Sequence, residues 1–140
     1  MTLDHEKKLA RRSLMMWESD NTDAVTAIFA PNYVNHQESA VGGTLESLNL
    51  EEWKKLVQQN HRAFPNLRVT ILMQIAEDDL VATRWQFTAT QAGAYLGHAA
   101  TQKQATWTGV QIDRFESGKI VASWVDWDKY RLFKELGFLK

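Results

Sequence analysis

The spacing of apolar residues changes from a helical period to a strand period near Pro65. Before Pro65, apolar positions recur every three to four residues, which predicts a helix over residues 4–20 and a short second helix that stops at Pro31. A third helix follows, with Asn49 as its N-cap and Glu52 at the capping-box position. Three helices are therefore expected in the first half of the chain.

After Pro65, polar and apolar residues alternate. This period of two predicts four strands, over residues 67–75, 80–89, 105–115 and 120–127. Asp128 caps a closing helix that Gly137 ends. Residues 33–36 are predicted to be extended, and residues 37–47, with Gly42 and Gly43, to form a polar loop.

The predicted order is α-α-α-β-β-β-β-α, with the helices segregated from an antiparallel sheet. This arrangement defines an α+β fold, and we expect a single domain over residues 1–140. A long sheet twists and curls, so the helices would close its concave side around an apolar pocket.

The hairpin between the last two strands decides which side chains face that pocket. Glu116-Ser117-Gly118 predicts a three-residue loop that pairs Phe115 with Lys119. One face of the hairpin then carries Trp107, Gly109, Gln111, Asp113, Val121, Ser123, Val125 and Trp127. This mixture of polar and apolar groups is typical of a ligand pocket. The opposite face is also largely apolar, so we expect a second copy of the chain to cover it in a homodimer.

Composition narrows the classes of partner. The formal net charge of -1 removes the electrostatic case for nucleic acid or an anionic membrane surface. There is no cysteine, the N-terminus lacks a signal-peptide core, and no apolar run is long enough to span a membrane. We therefore expect a cytoplasmic protein. Because no His, Asp or Glu grouping has metal-ligand spacing, we expect no metal.

Several short motifs resemble one family along nearly the whole chain. They are Tyr33-Val34-Asn35-His36, Phe64-Pro65-Asn66-Leu67, Val81-Ala82-Thr83-Arg84-Trp85, Tyr95-Leu96-Gly97 with Thr101 and Lys103, Arg114-Phe115-Glu116-Ser117-Gly118-Lys119-Ile120-Val121, Trp127-Asp128 and Leu136-Gly137. In this order the chain resembles the SnoaL-like polyketide cyclases, a branch of the cone-shaped NTF2-like superfamily. The resemblance implies an aldol cyclisation without metal or cofactor, in which an aspartate removes a proton from a carbon flanked by carbonyls.

The same resemblance suggests where the catalytic base would lie. Aligned on Gly118-Lys119-Ile120, the position of the family's aspartate holds Val125. Asp113 lies on the same predicted face and becomes the candidate base. Asp126 is the second candidate, and His36 is the histidine considered for proton transfer.

The remaining candidate residues would bind a small apolar or aromatic ligand. Gln111, Asn35 and His36 are expected to donate hydrogen bonds to its carbonyl or enolate oxygen. The other expected contacts are Tyr33, Trp17, Trp53, Asn60, Trp107, Ser123, Val125 and Trp127. Two alternatives stay open: a non-catalytic ligand-binding or dimerisation module, which Val125 favours, and an isomerase of the ketosteroid type or an epoxide hydrolase.

Overall fold

A computed structural model describes residues 3–19, 21–39 and 44–139, so Gly42 and Gly43 of the predicted loop lie outside the described residues. The helices are α1 (Leu3–Met15, continued by one 3-10 turn, Met16–Glu18), α2 (Val25–Ile28), α3 (Leu50–Ala63) and α4 (Lys129–Leu136). The strands are β1 (Phe29–Glu38), β2 (Leu45–Asn49), β3 (Arg68–Glu77), β4 (Leu80–Thr90), β5 (Gln104–Glu116) and β6 (Lys119–Trp127).

The six strands form one open sheet in the order β2-β1-β6-β5-β4-β3. Neighbouring strands are antiparallel except β1 and β6, which run parallel. The predicted α+β class is confirmed, but the predicted four-stranded antiparallel sheet is wrong. The segment assigned to an extended stretch and a polar loop contributes two further strands, β1 and β2, before α3. The second helix ends at Ile28, and Pro31 lies in β1, where pairing with β6 jumps from Phe29 to Val34.

Local signals set the ends of α3 and α4. Asn49 Oδ1 accepts a hydrogen bond of 2.9 Å from the Glu52 amide, and Glu52 Oε1 accepts one of 3.0 Å from the Asn49 amide. These two bonds form the predicted capping box. Asp128 Oδ1 accepts from the Arg131 amide at 2.9 Å, and Gly137 ends α4 with a φ of 81°. Both predicted caps are confirmed.

The β5–β6 hairpin differs from the predicted one in two places. Its loop has two residues, Ser117 and Gly118, with φ values of 50° and 84°, so Glu116 pairs with Lys119. A bulge then leaves Val121 without a partner, because Phe115 pairs with Ile120 and the preceding β5 residue pairs with Ala122.

The two shifts together move β6 by two residues against the predicted register. Asp113 pairs with Ser123 instead of Val121, and Gln111 pairs with Val125 instead of Ser123. Since side chains alternate with a period of two, a shift of two leaves the faces unchanged. From Ser123 to Trp127 the predicted inward face is therefore observed, although every predicted pair along it is wrong. Before the bulge the prediction fails, because Ile120, which the predicted register leaves off this face, is buried with Phe115 in the inner core.

The helices cover the inner face of the sheet through two buried clusters. In one, Trp53 packs on Phe29 with ring centroids 4.8 Å apart. In the other, Phe87 and Trp107 pack at 5.7 Å. Trp17, at the end of α1, contacts both clusters, 6.1 Å from Trp53 and 5.9 Å from Phe87.

No helix within residues 3–19, 21–39 and 44–139 is long and apolar enough to cross a membrane.

Candidate functional site

A cavity of about 240 Å³ lies between the inner face of the sheet and the helices. Rings and aliphatic side chains form most of its wall: Leu14, Trp17, Leu56, Trp85, Phe87, Tyr95, Leu96, Trp107, Val125, Trp127 and Leu132. Three amides, Asn35, Gln37 and Gln111, lie on the wall formed by β1 and β5. The exposed side chains of Glu46 and Leu96 mark its opening. An apolar hollow with a few converging polar groups is the usual form of a small-molecule site.

A continuous set of hydrogen bonds leads from this cavity into the protein interior. Gln37 Nε2 donates to Asn35 Oδ1 at 2.8 Å, and Asn35 Nδ2 donates to the Tyr33 hydroxyl at 2.8 Å. Tyr33 is also hydrogen-bonded to Ser123, whose hydroxyl donates to Asp113 Oδ1. Because a hydroxyl carries one proton and Ser123 uses it on Asp113, Tyr33 must donate to Ser123. All these bonds therefore point towards the carboxylate.

Asp113 is completely buried at the end of this network. Its Oδ1 accepts from Ser123 and, at 2.9 Å, from Gln111 Nε2, whereas its Oδ2 is buried with no partner among the described residues. Burial raises the pKa of Asp113 to about 7, since a charged carboxylate loses its hydration; the two hydrogen bonds act in the opposite direction. Burial and the Asp113 charge also raise the pKa of the Tyr33 hydroxyl.

Gln111 separates Asp113 from the cavity. Its side chain lines the cavity, but its Nε2 donates to Asp113 and lies 3.5 Å from the Ser13 hydroxyl. The nitrogen is thus directed to the buried side, and the carbonyl oxygen Oε1 is the atom left for a ligand. We expected Gln111 to donate to a ligand carbonyl; this geometry instead makes it an acceptor.

The structure brings seven of the predicted site residues to the cavity wall. They are Trp17, Asn35, Asn60, Trp107, Gln111, Val125 and Trp127. Their roles towards a ligand stay predictions. Tyr33, Asp113 and Ser123 lie behind this wall, in the hydrogen-bond network. Trp53 is 2% exposed and belongs to the cluster around Phe29, so the structure does not place it on the wall.

Two predicted catalytic residues lie on the outer face of the sheet. Asp126 is exposed and pairs with Val110, away from the cavity. His36 stacks on Trp124 with centroids 5.5 Å apart, and its Nδ1 lies 3.1 Å from the Ser47 hydroxyl. Alternation along β1 and β6 directs both side chains outwards, so the expectation that they act in the cavity is corrected.

The sequence analysis missed cavity residues that alternation could have found. Trp85 and Phe87 lie on β4 opposite the polar series that includes Arg84 and Gln86, and therefore face inwards. Gln37 follows Asn35 by two positions on β1. Leu132 of α4 and the link carrying Leu96 had no comparable signal, because their position depends on tertiary packing.

No group of three or more His, Cys, Asp or Glu side chains that could hold a metal ion occurs within the described part of the chain.

Comparison with known proteins places this arrangement in a family. The profile of the SnoaL-like polyketide cyclase family matches residues 7–136. No curated protein sequence matches the chain significantly.

Solved structures with the same fold include AclR from Streptomyces galilaeus, a proposed hydroxylase. It is 26% identical, with a TM-score of 0.85 over 99% of this chain and 89% of that protein. TsrD from Streptomyces laurentii is 19% identical, with a TM-score of 0.84 over 99% of both chains. IdmH from Streptomyces antibioticus, a proposed polyketide cyclase, is 24% identical, with a TM-score of 0.75 over 92% of this chain and 98% of that protein.

The match covers more than nine-tenths of the chain and includes the helices, the sheet and the cavity described above. The chain therefore belongs to the SnoaL-like polyketide cyclase family.

Proposed function

We propose that this protein binds a small, largely apolar, carbonyl-bearing molecule in the cavity between the sheet and the helices. The observation that carries the proposal is the make-up of the wall, in which large rings surround a short row of amides. Rings supply contact area for a flat molecule, and the amides supply its orientation. The volume of about 240 Å³ favours a small ligand.

The buried position of the Asp113 carboxylate favours ligand binding over catalysis as the function of this cavity. Asp113 is buried behind Gln111, and Val125 occupies the position on β6 where the resemblance expects the family's base. In this arrangement Asp113 orients Gln111, which in turn presents Oε1 to the cavity. The related structures are named for different reactions, a hydroxylase and a cyclase, so family membership leaves the chemistry open.

A second candidate function is aldol cyclisation with Asp113 as the base. Its support is the pKa of about 7, which leaves a large fraction of the carboxylate able to accept a proton near neutral pH. Asp113 would take a proton from a carbon between two carbonyls, and the enolate carbon would then form a bond to a second carbonyl carbon. The resulting alkoxide would recover the proton from Asp113. This reaction requires the Gln111 side chain to turn aside.

Calorimetric titration with 2-acetylnaphthalene, a flat aromatic ketone, tests the binding proposal. We expect saturable binding to the wild type and its loss in Val125→Phe, because the larger side chain fills the cavity. Ile75→Phe is the control, since it adds the same ring at an exposed position of β3 outside the cavity. Absence of saturable binding, or equal binding by both variants, would refute the proposal.

Hydrogen–deuterium exchange separates the second candidate from binding alone. Ethyl benzoylacetate carries a C–H between two carbonyls, and its exchange in D₂O can be followed by NMR against a buffer blank. If Asp113 is a base, the wild type accelerates exchange and Asp113→Asn does not, while both bind 2-acetylnaphthalene. No acceleration by the wild type would leave the protein a binding module.

A further inference from the structure

Two tryptophans of the cavity wall carry buried N–H groups that meet no acceptor in the described part of the chain. The Nε1 atoms of Trp85 and Trp127 are both inaccessible and unpartnered among the described residues, and both side chains line the cavity. An indole N–H can only donate, and it cannot be reversed as an amide can. Each therefore requires an acceptor, and leaving it unpaired costs stability.

The backbone places these two indoles side by side. Trp85 on β4 and Trp127 on β6 both pair with Gly109 of the strand between them. Trp85 lies across that strand: its Cε2, the carbon bonded to Nε1, is 2.7 Å from the position that a Cβ on Gly109 would occupy. The missing side chain at Gly109 thus allows the N–H edge of Trp85 to lie over the strand that separates it from Trp127.

Resting on the proposed function, we infer that Trp85 and Trp127 form a donor pair that binds the carbonyl oxygen of the ligand, which requires each indole ring to turn its N–H edge towards the cavity. A neutral acceptor fits better than a carboxylate. Among the described residues of the wall there is no lysine or arginine, whereas Glu38 and Glu46 both line it. Asn60 on α3 also has an unpartnered buried amide nitrogen, Nδ2, on this wall.

This assignment divides the polar groups of the cavity into two kinds. Trp85 and Trp127, which flank Gly109 across the sheet, supply N–H donors. Gln111, two residues further along β5 from Gly109, supplies a carbonyl oxygen as the acceptor. A ligand with a carbonyl at one position and a donor near Gln111 would satisfy both. The two tryptophans are thereby specificity-determining residues, whereas the sequence predicted only a general ligand contact for Trp127 and none for Trp85.

The test compares ligands that differ in one atom group. 2-Acetylnaphthalene has a C=O where 2-isopropenylnaphthalene has a C=CH₂ of nearly the same shape, and 2-naphthoate carries a negative charge. Calorimetry should show that Trp85→Phe and Trp127→Phe each reduce the wild-type preference for the ketone over the alkene by about 3- to 10-fold. Trp53→Phe, which removes an indole outside the cavity, should leave the preference unchanged, and 2-naphthoate should bind more weakly than the ketone.

A second measurement does not depend on how well the variants fold. The six tryptophans give separate indole N–H signals in NMR spectra of the ¹⁵N-labelled wild type. The signals of Trp85 and Trp127 should move downfield with the ketone and not with the alkene, and that of Trp124 on the outer face should stay in place. Equal ketone preference in wild type and variants, with unmoved signals, would overturn the donor pair and leave cavity binding intact. If neither ligand binds, the proposed function fails and this inference with it.

Discussion

Ser123 and Asp113 are cross-strand partners on β6 and β5, and the serine hydroxyl donates a 2.5 Å hydrogen bond to the aspartate Oδ1. The pairing exists because the bulge at Val121 moves Ser123 opposite Asp113. It places one hydroxyl between the Tyr33 phenol and a buried carboxylate, where its hydrogen bond opposes the rise in the Asp113 pKa that burial causes.

Substitution Ser123→Ala should raise the pKa of Asp113 above its value of about 7. The serine hydrogen bond favours the charged form of Asp113. Without it, only the Gln111 hydrogen bond opposes the rise in pKa that burial causes. The carboxyl ¹³C signal of Asp113, followed by NMR from pH 5 to 9, would measure the change. Ser47→Ala, on β2, is the control and should not move it; a lower pKa in Ser123→Ala would contradict the assignment.

Unfolding should become easier as the pH rises from about 4 to about 7. Over this range the folded state keeps a proton on Asp113 that the unfolded chain, with a pKa near 3.8, has released. The raised folded-state pKa therefore removes stability progressively until both states are ionised, by up to about 4 kcal/mol. Urea unfolding at several pH values measures this slope.

Asp113→Asn, which cannot ionise, is the variant that tests whether Asp113 causes this pH dependence of the free energy of unfolding. Its free energy of unfolding should vary less between pH 4 and 7 and should exceed that of the wild type at pH 8. Parallel pH profiles for the two proteins would show that Asp113 is not the responsible group.

Substitution Gly109→Ala should destabilise the protein by about 1–3 kcal/mol through overpacking. The added Cβ would lie 2.2 Å from Cζ2 of Trp85 and 2.7 Å from the Asp126 backbone oxygen. Combining it with Trp85→Phe should relieve part of the cost, which a double-mutant cycle of chemical unfolding would reveal as a coupling energy. Strictly additive effects would mean that the Trp85 ring moves away from the new Cβ without strain.

The outer face of the sheet is the proposed interface of a homodimer. Val110, Ile112 and Trp124 are each about 40% exposed there, and Arg84 and Asp126 pair with Val110 from either side. A two-fold axis that passes Val110 and runs along β5 would bring the arginine of each copy to the aspartate of the other. Light scattering after size-exclusion chromatography should give twice the monomer mass.

Val110→Glu should shift that assembly to the monomer, because it buries an unpaired charge. Leu45→Glu adds the same charge at an exposed position of β2 and is the control. A wild type that elutes as a monomer at all concentrations tested would refute the interface.

Local signals in the sequence were sufficient for the parts of the fold that local contacts build. The Asn49 cap and the Asp128 cap each involve residues three positions apart, and both were predicted. Residues 33–36 of β1 were correctly predicted to be extended, but their place in the sheet could not be predicted in the same way. The partner of β1 is β6, and Asn35 pairs with Ser123 across almost ninety residues. Such a strand is stabilised by contacts with its partner, and the pattern of its own residues does not show which partner that is.

The candidate site likewise combines features that local sequence predicts with features that depend on distant contacts. Alternation placed Gln111, Asp113 and Val125 on the inward face, as observed. It could not give their depth, which depends on how α1 packs over the sheet and brings Ser13 close to Gln111. Asp113 was therefore expected to touch a ligand, whereas Gln111 lies in between.

The paired irregularities of the β5–β6 hairpin also constrain how this protein can change. Deleting Val121 would remove the bulge and leave a regular ladder, because Val121 is the residue without a partner on β5, and Ser123 would still pair with Asp113. Deleting a paired residue such as Trp124 would instead exchange the inner and outer faces of the rest of β6. Natural variation in the length of this hairpin should therefore be found at the bulge or in the Ser117–Gly118 turn and not among the paired positions that follow Ser123.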